Sequence, residues 1–248
     1  MVLRRQVELT LNTLLTAMKQ AGCGEPHPIF AGGLRYVPPS AAAGVNRAAF
    51  EELSEFGFTE GNKLTSDFED VLHILGQPRT EYFAYARDTS EQYGVLVAVR
   101  GRTGVTAVCQ GERVWLQETG EDHPGAVVAN LPACEPARFT PFSLPQEEFT
   151  REEFDDVYES SPARSREARE LDEVFQQPYY GLGEFHAARR ANGTRVEAHD
   201  TLTYLDLDAG RVAIGMTGQR GNKYITVLPG EPRSLAQRLG SLRAGLDD

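Results

Sequence analysis

Two short stretches of the chain carry the residue types of known ligand-binding motifs. Gly181-Leu182-Gly183 has the glycine spacing that begins a dinucleotide-binding loop. It leads into a strand-like run and not into a helix, so no helix N-terminus would be available to hold a phosphate. The stretch 206–210 (DLDAG) resembles the start of a calcium loop, but Met216 and Thr217 stand where the closing acid belongs. We interpret the second stretch as a hairpin turn and expect neither a metal nor a cofactor.

The histidines and cysteines do not form a catalytic pattern. His186 and His199 could face one another across a hairpin and bind a metal, although cross-strand neighbours without such a role would give the same sequence. The three cysteines show no Cys-x-x-Cys spacing. The sequence contains no nucleophile elbow, phosphate loop or zinc signature. We therefore expect no catalytic residues and a protein that is not an enzyme.

The elements that would position any site follow a repeated order. The dipeptides Gln77-Pro78 and Gln177-Pro178 lie 100 positions apart, and each follows a helix-like stretch, 66–76 or 165–176. In the first copy the strand-like runs that follow are 81–87, 94–100, 104–110 and 113–118, closed by a helix-like stretch at 125–131. In the second copy they are 183–190, 201–207, 211–217 and 223–228, closed by 232–246. This order predicts an internal duplication, although an alternating chain could also show it by chance.

Turn residues and upstream segments extend the comparison. Asn192-Gly193 is a strong hairpin signal, because both positions tolerate positive φ. The strand-like run 7–10 leads into a Leu-rich helix, and 142–145 leads into a stretch with Phe149 and Phe154. We predict a single α/β (α+β) domain over 1–248, with a largely antiparallel central sheet flanked by helices. Its two quasi-two-fold halves would be roughly 5–134 and 138–246.

Two further patterns concern burial and loops. The run 94–100 is apolar on both faces, which is typical of a central strand, whereas 201–207 is more polar and predicts a face open to solvent or to a partner. Residues 22–45 are rich in Pro and Gly, which indicates a loop.

Charge and hydropathy exclude several function classes. The formal net charge of −11 argues against nucleic acid as a partner, because phosphate binding needs concentrated Lys and Arg. No apolar run approaches the ~20 residues that span a bilayer, so we expect no membrane insertion. The N-terminus lacks the apolar core of a signal peptide, and we expect a cytoplasmic protein. Acidic residues concentrate in 147–173, either as a solvated face or as a surface that steers a basic partner.

The stretch from Gly183 onward carries a family resemblance. It has a G-x-F-x-x-A-R-R strand at 183–190, a strand with Tyr204 and Asp206, a Gly210-Arg211 turn, a Val-x-Pro strand end at 227–229 and a Leu/Arg-rich last helix. Together with the openings at 7–10 and 143–145, this pattern resembles the EspG family, the cytoplasmic chaperones of actinobacterial type VII (ESX) secretion. The resemblance spans nearly the whole chain and contains no invariant catalytic motif.

The resemblance implies a quasi-two-fold α/β fold and a non-enzymatic role. Members of the family bind a PE/PPE substrate pair, cover a hydrophobic tip on the PPE protein and deliver the pair for secretion. Mycobacterial members tend to have a long loop after the first strand of the first copy, whereas here only residues 88–93 are available. This departure leaves open whether the partner is PE/PPE-like or another small helical hairpin.

We expect the partner to contact the sheet face and the loops at its rim. The candidate contact residues are Phe83 and Tyr85 on the first strand, Asp88, Glu91, Gln92 and Tyr93 in the short loop, and Arg220, Asn222 and Lys223 in the loop taken as its counterpart. The alternative hypothesis is a small-ligand-binding or regulatory module with a pocket between the two halves. The sequence does not determine the oligomeric state.

Overall fold

The computed structural model describes residues 3, 5–33, 37–150, 164–219 and 222–247. The first part of the chain forms β1 (Val7–Thr10), α1 (Leu11–Gln20), a 3-10 helix (Pro28–Gly33), α2 (Pro39–Glu55), β2 (Thr59–Glu60), β3 (Lys63–Leu64), α3 (Ser66–Gly76), β4 (Thr80–Asp88), β5 (Gln92–Arg100), β6 (Thr103–Gln110), β7 (Arg113–Thr119) and α4 (His123–Val128). The second part forms β8 (Phe142–Pro145), α5 (Gln146–Thr150), α6 (Arg166–Gln176), β9 (Tyr179–Ala191), β10 (Thr194–Glu197), β11 (Leu202–Leu207), β12 (Gly210–Gln219), β13 (Asn222–Pro229) and α7 (Pro232–Ala244).

One antiparallel sheet joins the two parts of the chain. Its strand order is β1-β7-β6-β5-β4-β9-β11-β12-β13-β8, and β10 pairs with the same edge of β9 as β11 does. The order on either side of the β4–β9 pair is the same when β1, β4, β5, β6 and β7 are matched with β8, β9, β11, β12 and β13. The predicted mixed α/β fold with a central antiparallel sheet is confirmed. The boundaries of the halves at 5–134 and 138–246 stay a prediction.

Local sequence explains where the strands turn. Asn192 and Gly193 have φ values of 52° and 81°, which lets them form the tight connection between β9 and β10. The helices α3 and α6 both end immediately before a Gln-Pro dipeptide, because proline cannot donate the backbone hydrogen bond that would continue the helix.

The pairing of β4 with β9 defines which residues are equivalent in the two halves. Ala84 pairs with Phe185, and we call residues equivalent when they hold matching positions on either side of this pair. Strand β9 has a bulge at Tyr180, between the residue pairs Asp206–Gly181 and Leu207–Tyr179. Beyond the bulge, the offset between equivalent residues is therefore one residue larger than the 100-residue spacing of the Gln-Pro dipeptides. After the bulge, equivalent residues lie on the same face of the sheet.

Helices cover the two faces of the sheet differently. On the face that we call the front face, Leu14, Leu53 and Phe68 from α1, α2 and α3 pack in one core over the first half. A second front-face core contains Leu171 of α6 over the strands of the second half. On the opposite face, the back face, α4 and α7 share a core that includes Leu235. The front-face helices therefore lie on either side of the central strands β4 and β9.

Two sequence expectations about burial are wrong. Residues 22–45 are not all loop, because α2 begins at Pro39. A proline is acceptable in the first turn of a helix, since the backbone N–H that it lacks would have no partner within the helix there. The strand β11 is not open on one face, because Tyr204 and Leu205 are both buried on opposite faces. The polar pattern of β11 comes from Asp206, which is buried with Arg211.

No helix within the described ranges is long and apolar enough to cross a membrane. Phe154 and the predicted acidic residues between 152 and 159 lie outside the described residues.

Candidate partner-binding face

Four side chains lie at the centre of the front face, where helices leave the sheet partly open. Phe83 pairs across β4 and β9 with His186, and Tyr85 pairs with Glu184. We call these four residues the central quartet. The side chains of Glu184 and His186 are 61% and 25% exposed, and Tyr85 is half-buried. The quartet thus presents one carboxylate, one imidazole and one phenol to the surface.

Phe83 is the buried member of the central quartet and is not accessible to solvent. It is 2% exposed, and its ring stacks on His186 with a centroid distance of 4.8 Å. The ring of His27 meets it edge-on at 4.7 Å, and the guanidinium of Arg195 lies 5.3 Å from its centroid. The expectation that Phe83 touches a partner is therefore not met, because these neighbours cover it.

A chain of charged groups from β10 fixes the imidazole of the quartet. Arg195 Nε donates to Glu81 Oε2 at 2.6 Å, and Arg195 Nη1 donates to Glu197 Oε2 at 2.9 Å. Glu197 Oε1 lies 3.0 Å from His186 Nδ1. Arg195 and Glu197 come from β10 in the second half and Glu81 comes from β4 in the first half, so the network joins the two halves. It holds the His186 ring over the Phe83 ring, and the two ring planes are nearly parallel.

Glu81 is the buried end of this network. It is 2% exposed, and burial alone would raise the pKa of its carboxyl. The contacts with His27 and Arg195 outweigh burial and hold the pKa of Glu81 below its ordinary value of 4.5. Ile29 N donates to His27 Nδ1 at 3.2 Å, so the proton of a neutral His27 is on Nε2, which lies 3.5 Å from Glu81 Oε2.

Two exposed aromatic side chains lie next to each other on α5 and α6. The rings of Phe149 in α5 and Phe175 in α6 are 5.7 Å apart and the residues are 41% and 48% exposed. Among the described residues, all large hydrophobic side chains in the exposed class belong to the second half; they are Phe149, Phe175, Tyr179, Tyr180, Val196 and Tyr224. Among the described residues, the most exposed large hydrophobic side chains therefore lie in the second half.

The short loop after β4 is smaller than expected. Only residues 89–91 lie between the strands, because Gln92 and Tyr93 already belong to β5. The carboxylate of Asp88 accepts hydrogen bonds from Ser90 N, Ser90 Oγ and Glu91 N, and these bonds lower the pKa of Asp88. The side chain of Glu91 accepts a hydrogen bond from Gln110. Asp88 and Glu91 are exposed and remain candidate contacts.

Tyr93 is partly committed to the interior. Its hydroxyl donates to the carbonyl oxygen of Asn130 at 3.3 Å, and its ring packs on the back-face core. Burial raises the pKa of Tyr93 to about 12. Tyr93 therefore points away from the face that carries Tyr85.

The two described candidates of the second half, Asn222 and Lys223, lie far from the short loop. Arg220 lies outside the described residues. Asn222 is exposed, and Lys223 Nζ donates to Asp200 Oδ1 at 2.8 Å. The antiparallel register places the β12–β13 turn at the opposite end of the sheet from Asp88. The assignment of these loops as counterparts is wrong, since the equivalent of the β4–β5 loop is the connection from β9 to β11 that contains β10.

The sequence did contain a signal for the residues that were missed. His186, Arg195 and Glu197 lie on the front face because side chains alternate along the β9–β10 hairpin. That hairpin was predictable, but its pairing beside Glu81 depends on the β4–β9 register, which links segments from the two halves. Among the described residues, no group of three or more His, Cys, Asp or Glu side chains could hold a metal ion.

Comparisons with known proteins agree with this architecture. The model of the family described as EspG family matches residues 10–241. A similar solved structure is the Mycobacterium tuberculosis type VII secretion system chaperone EspG5 in complex with a PE25-PPE41 dimer. The two are 14% identical in sequence with a TM-score of 0.72, and the match covers 96% of this chain and 95% of that chain. A search of curated proteins finds no match.

Proposed function

The chain belongs to the EspG family, and we propose that it is a non-enzymatic cytoplasmic chaperone for a PE/PPE-like helical pair in type VII secretion. It would bind the exposed tip of the pair, keep it soluble and deliver it for export. Family membership over residues 10–241 is the observation that carries this proposal. The EspG5 structure, which has the same fold, was solved with a dimer of PE25 and PPE41 bound.

The front face has the features that such a partner needs. Helices on both sides of the central quartet leave a trough whose floor is formed by β4 and β9. An amphipathic helix or helical tip can lay its apolar side into a trough of this kind. Phe175 on α6 supplies exposed apolar surface next to Phe149 of α5, while Glu184 and His186 supply polar contacts on the central strands.

Masking an apolar tip has a clear physical benefit. A contiguous apolar patch on a soluble protein promotes association, and covering it removes that hazard. Partner choice would then depend on the polar groups around the trough, because an unpaired buried charge opposes binding of the wrong partner. This role requires binding and release but no bond-making chemistry.

The test is co-expression with the helical-hairpin proteins that are encoded beside the gene. We expect one pair to copurify with the chain and to become soluble only in its presence. Phe175→Glu and Glu184→Arg should each reduce copurification, since both side chains are exposed and their replacement should leave the fold intact.

Tyr224→Glu is the matched control. Tyr224 is 41% exposed, like the front-face aromatics, but it lies on the back face with Leu228 of the same strand. It should leave copurification unchanged. If no neighbouring hairpin protein copurifies, the chaperone proposal fails; if Tyr224→Glu is as harmful as Phe175→Glu, the front face is not the binding site.

A further inference from the structure

Five arginines surround a cavity at one end of the β4–β9 pair. They are Arg79, Arg100, Arg189, Arg190 and Arg243, and the cavity has a volume of about 590 Å³. We call this group the arginine pocket. Its walls come from both halves of the chain, with Arg79 and Arg100 in the first and the other three in the second. Such a volume lies in the range typical of small-molecule sites.

The charge of the pocket contrasts with that of the whole molecule. The chain has a formal net charge of −11, so a group of five guanidinium groups is not a sample of its average surface. Among the described residues that line the pocket, Asp247 is the one acid. The pocket therefore keeps a local excess of about four positive charges. Like charges held close together repel one another, and a bound anion would offset this repulsion.

Asp247 shows how the pocket receives an anion. Its carboxylate accepts a hydrogen bond from Arg243 Nη1 at 2.6 Å and lies 3.7 Å from Arg189 Nε. The hydrogen bond from Arg243 lowers the pKa of Asp247, and the charges of Arg189 and Arg79 act in the same direction. The carboxylate of Asp247 thus lies at the rim of the pocket and contacts only some of the guanidinium groups that line the pocket.

Two buried donors in the pocket have no acceptor. The Nε atoms of Arg189 and Arg190 are buried, and neither makes a hydrogen bond to any described residue. A buried N–H without a partner destabilises the fold, and more so when the group is charged. An anion bound in the pocket would supply an acceptor to one of these donors, because the two residues are neighbours on β9 and their side chains point to opposite faces of the sheet.

The fold does not require arginines at these positions. The equivalent of Arg189 at the other end of the β4–β9 pair is Asp88, and the equivalent of Arg190 is Thr89. The equivalent of Arg100, on the neighbouring strand, is Leu207. The matching positions of the first half therefore carry no arginine, although β4 ends at Asp88 whereas β9 continues to Ala191.

We propose that the arginine pocket binds a small molecule that carries two or more phosphate groups. Guanidinium groups match phosphate oxygens in planar pairs of hydrogen bonds, which lysine does not provide. Two adjacent phosphates offer charge and acceptors for the three arginines that Asp247 does not contact, Arg79, Arg100 and Arg190. The site is separate from the central quartet, because it lies at the end of β4 and β9 and not on the middle of the front face.

The proposal is tested by calorimetric titration of the purified chain with inorganic pyrophosphate, and with orthophosphate in parallel. We expect saturable binding of pyrophosphate that is at least about tenfold tighter than that of orthophosphate. Arg100→Ala should weaken pyrophosphate binding roughly tenfold or more, because a charge-assisted bond is worth about 1.5–3 kcal/mol. Asp247→Asn should tighten it, because it removes the competing carboxylate.

Arg113→Ala is the charge-matched control. Arg113 is exposed, pairs with Glu8 and lies at the opposite end of the sheet, so pyrophosphate binding should not change. Equal weakening by Arg113→Ala and Arg100→Ala would overturn the proposal, since it would indicate attraction to net charge alone. No heat with pyrophosphate, or binding of an Asp/Glu-rich peptide in its place, would overturn it as well. Copurification of the helical pair reports on the chaperone role separately, and Arg100→Ala should leave it intact.

Discussion

A row of residues that are paired across four neighbouring strands holds matching positions in the two halves, but the residues in it differ. In the first half the row is Thr80, Val99, Gly104 and Thr119; in the second half it is Gly181, Asp206, Arg211 and Gly230. Arg211 is 4% exposed and makes two hydrogen bonds to Asp206, at 2.6 and 2.8 Å. A side chain on Gly181 or Gly230 would overlap this pair. The halves therefore share a backbone plan, while the second half makes room for a buried ion pair.

The ion pair does more than fill space in the second half. Arg211 Nη2 donates to the carbonyl oxygen of Pro132, and its backbone bonds to Glu135 and Ala137. These three residues belong to the segment that leads from α4 to β8. The charged row of the second half thus holds the connection between the halves, whereas the row of the first half is uncharged.

The largest expected effect comes from breaking the charged row. Arg211→Ala should lower the free energy of unfolding by about 3–5 kcal/mol, because it leaves Asp206 buried without its partner. Chemical denaturation of the chain and the variant measures the difference. The double variant Asp206→Val, Arg211→Leu should recover much of the loss, as an apolar pair resembles the first half. A loss below about 1 kcal/mol in the single variant would contradict a structural role for the row.

The second effect tests a charge that only the first half has. Glu81 is equivalent to Leu182, and its pKa is held below the ordinary value of 4.5. Because the folded pKa is lowered, Glu81 stabilises the fold above pH 4.5, and this contribution disappears as the pH falls through the folded pKa. Glu81→Gln should therefore cost about 1.5–3 kcal/mol at pH 7 and progressively less in acid. Denaturation curves from pH 7 to pH 3 would show whether the two proteins converge; parallel curves would refute the role.

The third effect concerns a pair of positions at which the two halves place the large and the small side chain in opposite order. Gly183 lies under the ring of Tyr204, whereas its equivalent Tyr82 lies beside the smaller Val97. Gly183→Ala would overlap the Tyr204 ring and should destabilise the chain by about 1–3 kcal/mol. Tyr204→Val in the same chain should relieve the overlap. The melting temperatures of the single and double variants decide the matter, and an unchanged melting temperature in Gly183→Ala would show that the row adapts.

The smallest effect concerns the exposed aromatics of the second half. Phe175→Ser should change the free energy of unfolding by less than about 0.5 kcal/mol, because the side chain is 48% exposed. The buried Phe68 in α3, the counterpart helix, is the comparison: Phe68→Ala should cost about 3–5 kcal/mol. A large loss in Phe175→Ser would mean that the ring supports the fold, which would weaken its assignment to partner binding.

Local patterns were enough to predict most of the fold. The strands β5, β6 and β7 begin and end within two residues of the predicted runs, because apolar alternation and glycine turns both define them. The helix α2 was missed because Pro38-Pro39 signals a break, although the second proline is acceptable at a helix start. The bulge at Tyr180 was also not predictable, since it depends on pairing with β11.

The candidate site was harder to predict because it depends on contacts between the halves. Phe83 looks like an available aromatic in its own strand, yet His27 and His186 cover it from distant parts of the chain. Asp88 and Lys223 are both near turns in the sequence, but the register puts them at opposite ends of the sheet. Tyr85 is the predicted candidate that is both part of the central quartet and partly exposed.

The pairing of Ala84 with Phe185 has a consequence for how the chain can associate. These two residues hold the same position on either side of the junction, and both are buried. Two copies of the first half would bring alanine against alanine and leave a void there, whereas two copies of the second would force phenylalanine against phenylalanine. The junction is therefore heterologous: each half fits the other better than it fits a copy of itself, and covalent linkage keeps the complementary pair together.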